Sequence, residues 1–132
     1  MIRDQRHSPF GWLALWWLLS CGLVGCRAST APITDVASAT RLLESSLSAW
    51  KSGCTVAEMR QQIPPTYVAD DLWLQGFQLK DYQVHGQGES FGTNVRFQVT
   101  LRGSTANGKT SERKVKYLVA TRPANSVARE DR

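Results

Sequence analysis

A chain of 132 residues has room for one small domain and excludes a multidomain architecture. Its formal net charge of +5 is compatible with a neighbouring anionic surface, but a solvated basic face without a partner is the plainer account. Three cysteines and two histidines offer little from which to build a disulfide framework or a metal centre.

The chain opens with Arg3 and Arg6 against a single acid, Asp4, and an apolar run, Phe10–Gly25, follows with Trp12, Leu15, Trp16, Trp17 and Leu18. A charged start, a short apolar stretch and small residues at its end describe a secretory signal peptide. Its sixteen residues fall short of the roughly 20 that a helix needs to cross a bilayer. Export is therefore expected, and a spanning anchor is not.

The run closes on Leu23-Val24-Gly25-Cys26, which resembles the lipobox of bacterial lipoproteins. The resemblance implies a diacylated Cys26 thiol, cleavage ahead of it by signal peptidase II, and often an acylated amino group. Leu18-Leu19-Ser20-Cys21 is a poorer match because the apolar run continues past it, and an ordinary cut after Ala31 meets Pro32. Two or three acyl chains exceed the two signals that stable anchoring takes. The implied layout is a signal peptide at 1–25, a lipidated cysteine and short linker at 26–34, and one domain at 35–130. The lipid bilayer is then the first partner, with the domain on the periplasmic or extracellular side of the cell envelope. Arg27 stands where some lipoprotein families carry a retention aspartate, which leans toward the outer membrane.

Without residues 1–25 the chain has 107 residues, 14 bases and 10 acids, a balance of +4. Cys21 departs with the signal and Cys26 is blocked by lipid, so Cys54 has no intramolecular partner. It is read as a small apolar residue at a helix junction, with a reactive thiol as the alternative. The exported compartment argues against nucleic acid.

From Arg27 to Thr34 the composition is that of a linker. A first helix is predicted from an N-cap at Asp35 to Gly53, with Val36, Ala39, Leu43, Leu47 and Trp50 forming one apolar stripe. Thr55 and Glu58 match a capping box for a short second helix that Pro64 and Pro65 stop. Tyr67 to Gly76 reads as a loop with one helical turn, capped at Asp70 or Asp71, and Trp73 as a plug at the edge of the core. From Phe77 the period becomes two, with a phase change that predicts a bulge near Lys80-Asp81. The glycine-rich stretch 86–92 is expected to turn the chain. Val95, Phe97, Val99 and Leu101 mark the clearest strand, followed by Val115, Tyr117 and Val119. A three-residue loop, Ala106-Asn107-Gly108, sets Val99 opposite Val115 and Phe97 opposite Tyr117, which keeps like faces together. A last edge strand is expected near Ser126–Arg129, with a fraying tail beyond.

Helices followed by three or four antiparallel strands predict an α+β domain whose long helix lies across a curved sheet. This order resembles the cystatin-like or nuclear-transport-factor-like α+β cone. Pro65, Tyr67, Val68 and Asp70 are also similar to a loop that precedes such a sheet in small exported proteins. That fold hosts enzymes and binding modules alike, so it assigns no function alone.

His7 leaves with the signal, and His85 at an expected strand end reads as a solvated loop residue. Asp70 and Asp71 could supply paired carboxylates, but neighbours in an extended segment point apart. No catalytic constellation, metal site or cofactor is expected. Arg96, Arg102, Lys114 and Lys116 share the outer face of one predicted hairpin and are the candidate contact residues for an envelope protein or an anionic envelope component. Lysines on an exposed face also discourage edge pairing, which is the plainer account of the cluster. The alternative function is a ligand-binding or enzymatic cone, with Tyr67, Asp70 and His85 lining a pocket between helix and sheet. A homodimer through exposed sheet faces is a third reading.

Overall fold

A computed structural model describes residues 33–131, and the lipobox and signal segment lie outside them. The first helix, α1 (Val36–Lys51), starts where Asp35 accepts a hydrogen bond from the Ser38 amide and ends before Gly53, which has φ +93°. A glycine tolerates that left-handed turn without steric cost, which makes the stop sharp. Ala39, Leu43, Leu47 and Trp50 are buried, as the stripe predicts. Ser46 joins them on the buried face, its hydroxyl satisfied by the Leu42 carbonyl at 2.7 Å. Thr55 and Glu58 form the expected capping box on α2 (Val56–Arg60).

The fold is α+β, but the sheet differs from the expected antiparallel set of three or four strands. It is mixed and five-stranded, in the order β1-β5-β4-β3-β2. The strands are β1 (Thr66–Ala69), β2 (Gln78–Phe91), β3 (Asn94–Ser104), β4 (Thr110–Ala120) and β5 (Asn125–Arg129). Val99 faces Val115 and Phe97 faces Tyr117, the predicted register, and Gly108 at φ +82° takes the left-handed position in the loop. The bulge also falls where the phase change puts it, between Leu79 and Asp81.

Four expectations need correction. First, Thr66–Ala69 is a strand, not a loop: it pairs parallel with β5, so β5 is an interior strand and β1 the edge. Four residues whose partner lies about sixty positions away carry no hairpin signal. One helical turn, α3 (Asp71–Leu74), does follow it, capped by Asp70. Second, the glycine-rich stretch does not turn the chain, because β2 runs on to Phe91 and the turn is Gly92-Thr93. Gly88 instead lies against the core, where a Cβ would stand 2.5 Å from Val95 and 2.7 Å from Phe97, and the pairing shifts register between His85 and Glu89. These glycines mark a bulge and a close approach.

Third, Thr34 belongs to the domain and not to a linker. It is 2% exposed, its amide donates to the Thr93 carbonyl at 3.0 Å, and its hydroxyl accepts from the Thr121 amide at 3.2 Å. Fourth, the tail does not fray at Glu130, whose amide donates to Lys116 and whose carboxylate holds Arg96 at both oxygens. The core lies between α1 and one face of the sheet. Leu43 and Leu47 meet Phe97, Val99, Leu101, Tyr117 and Val119, all at most 2% exposed. Each such side chain contributes roughly 1.5–3 kcal/mol by leaving water.

Candidate functional site

One face of the sheet is covered by α1, and the other carries the charged residues. Alternation along β3 and β4 places Arg96, Gln98, Thr100 and Arg102 with Glu112, Lys114 and Lys116 on this outer face, as predicted. The two arginines are already engaged. Arg96 makes a two-pronged contact with Glu130, at 2.8 and 2.7 Å, and its guanidinium lies 3.6 Å over the Phe91 ring. Arg102 reaches Glu112 at 2.9 Å and Asp81 at 3.7 Å. The hydrogen bond from Arg96 holds the Glu130 carboxyl below the usual carboxylate range, and the two arginines are correspondingly more firmly protonated.

Lys114 and Lys116 are exposed and form no salt bridge among the described residues, although Lys116 lies near enough to Glu130 to help hold its carboxyl below the usual range. They border a concavity of about 490 Å³ with His85, Gln98, Arg96 and two acids, Glu130 and Asp131. His85 does not sit in a loop at a strand end. It lies within β2 opposite Gln98, its Nε2 2.6 Å from the Thr100 hydroxyl. Thr100 is only 3% exposed, so this hydrogen bond orients the imidazole along the outer face. The arrangement offers ammonium, imidazole and amide donors to a ligand with oxygen acceptors. Glu130 and Gln98 were missing from the expected cluster. The Arg96–Glu130 pair spans 34 residues, and no local pattern announces it.

Tyr67, Asp70 and His85 are not brought together. Tyr67 is 44% exposed on edge strand β1 beneath the Arg60 guanidinium, whereas His85 lies on β2 at the opposite edge. Asp70 is buried. Its Oδ1 accepts from the Leu72 amide at 2.9 Å, its Oδ2 accepts from the Tyr117 hydroxyl at 2.5 Å, and the Arg129 Nε lies 3.4 Å from Oδ1. Arg129 also approaches Asp71 at 3.8 Å and Asp131 at 3.6 Å. Burial pushes the Tyr117 phenol far above its ordinary range, and the Asp70 charge adds to the shift. Asp70 thus caps a helix and anchors a buried tyrosine, and no pocket is left at its oxygens for a substrate to enter. That geometry removes the proposed three-residue pocket.

A second, open concavity of about 860 Å³ lies at the carboxyl end of α1, bordered by Trp50, Cys54, Val56, Trp73, Phe77 and Leu79. Trp50 and Trp73 stack with centroids 4.9 Å apart and planes at 4°, and each indole N–H is taken by a carbonyl, that of Phe77 and of Cys54 respectively. Burial, followed by the neighbouring Glu58, raises the Cys54 thiol above its ordinary range, which favours the unreactive protonated form. Among the described residues no three His, Cys, Asp or Glu side chains converge as a metal site, and no helix is long and apolar enough to cross a membrane. Scans of protein-family models, of curated proteins and of solved structures return no match to this chain.

Proposed function

We propose that the protein is a membrane-tethered, non-catalytic envelope lipoprotein whose small cone-like domain binds an anionic envelope component or an acidic protein surface. The observation that carries the reading is the pair Lys114 and Lys116. Their neighbouring arginines are neutralised within the fold, so these two ammonium groups remain available to a ligand beside His85 and Gln98. The sheet is rigid and His85 is held by Thr100, so binding here orders the two lysine side chains but no loop, which limits the entropic cost. Lipidation at Cys26 would keep the face within a short reach of the membrane.

The double variant Lys114→Glu/Lys116→Glu is expected to retain its fold, because both side chains are exposed. It should lose co-purification with envelope material that the unaltered protein retains, and the retained binding should weaken with salt. Equal recovery of the same material by both proteins would remove the outer face from the reading.

A further inference from the structure

The outer apolar side chains are unevenly placed. Of the five exposed large hydrophobics among the described residues, Ile33, Ile63, Tyr67 and Phe91 lie toward one end of the sheet, and Leu74 lies apart from them on α3. The pairing fixes this end. Phe91 faces Asn94 across the Gly92-Thr93 turn, Ala120 faces Ser126 across the β4–β5 turn, and Tyr67 lies beside Ser126. Ile63 is carried on the loop between Arg60, which sits over Tyr67, and Thr66, which pairs with Asn125. Thr34 is bonded to Thr93 and Thr121, so Ile33 emerges at the same end. Ile33 is 70% exposed and Ile63 99% exposed.

This is also where the chain enters the domain. Six residues lie between Cys26 and Ile33, seven steps with a reach of at most about 25 Å when fully extended. From these placements we infer that this end of the domain is a bilayer-contacting surface. Ile33, Ile63 and Phe91 enter the interfacial region, and exposed Arg122 on the β4–β5 turn meets lipid phosphate. The inference rests on the lipoprotein reading and adds an orientation to it. The strands then stand along the membrane normal, and the Lys114–Lys116 face looks sideways, toward neighbours in the envelope and not toward lipid.

The test uses the processed protein extracted from membranes and reconstituted in vesicles of phosphatidylethanolamine and phosphatidylglycerol, with and without brominated acyl chains. Phe91→Trp and Leu74→Trp are compared after subtracting the emission of Trp50 and Trp73 in the unsubstituted chain. Ala69 lies in the row of Arg96, two residues from the row of Phe91, and Leu74 stands one helical turn past Asp70, so position 74 lies roughly 15 Å farther from the lipid than position 91. Bromine should reduce the emission added at 91 at least about twofold and leave that added at 74 unchanged, since interfacial side chains sit within the acyl boundary. The intact mass of each sample reports acylation at Cys26. Equal quenching at both positions in an acylated sample overturns the orientation and leaves the lipoprotein reading standing. A mass without acyl chains at Cys26 overturns both.

Discussion

Replacing Asp70 by alanine should cost about 3–5 kcal/mol of folding stability, because one buried carboxylate serves three partners. Its removal leaves the Leu72 amide and Tyr117 hydroxyl without an acceptor, and Arg129 with only the more distant, exposed Asp71 and Asp131. Domains of this size are held by about 5–15 kcal/mol, so the loss takes a large share of the total. Urea unfolding followed by tryptophan emission would measure it, and Asp70→Asn should cost less because an acceptor oxygen remains for Leu72. A loss under about 1 kcal/mol for the alanine variant would show the network to be dispensable.

The same network predicts a pH dependence. The Tyr117 phenol is raised in the folded protein, so its contribution is complete below its ordinary value of 10.0. Above that value the unfolded chain releases the proton while the folded one keeps it, and stability falls by about 1.4 kcal/mol per pH unit. Tyr117→Phe should remove that part of the alkaline slope while costing about 1–3 kcal/mol at neutral pH, since one Asp70 oxygen loses its donor. Identical alkaline slopes for the two proteins would sink the assignment.

Trp50→Ala should be comparably severe, at about 3–5 kcal/mol. Trp50 is 4% exposed, stacks on Trp73, meets Phe77 edge-on at 5.9 Å, and donates its indole N–H to the Phe77 carbonyl at 2.9 Å. Truncation opens a cavity at the junction of α1, α3 and the start of β2, and strands a buried carbonyl. Trp50→Phe should recover much of the packing but not that hydrogen bond, a remaining deficit of about 1–3 kcal/mol. The near-ultraviolet circular dichroism from the stacked indoles should vanish in both variants. A Trp50→Ala protein as stable as the unaltered one would contradict this account of the core.

What could be read from the chain alone was whatever its local chemistry repeats. The α1 stripe and its Asp35 cap, the Thr55–Glu58 box, and the β3–β4 register all depend on residues within a few positions, or on a hairpin whose loop dictates pairing. The shared face of Arg96, Arg102, Lys114 and Lys116 followed from that register. Their electrostatic state did not, because the acids that quench the arginines come from β2, β4 and the carboxyl end. Likewise β1 needed β5 as a template, and Thr34 reads as linker until the turns that satisfy its two polar groups come together.

Asp70 shows the division most clearly. Sequence alone could offer it as a helix cap or a candidate acid, and left the cap open between Asp70 and Asp71; the structure gives it to Asp70. Only the tertiary structure brought Tyr117, 47 residues away, and Arg129 to the same carboxylate and closed it to solvent. Spacing and periodicity determine which groups share a face. Burial and long-range pairing decide which of those groups remain free to act, because a charge satisfied inside the fold has little left to offer a partner.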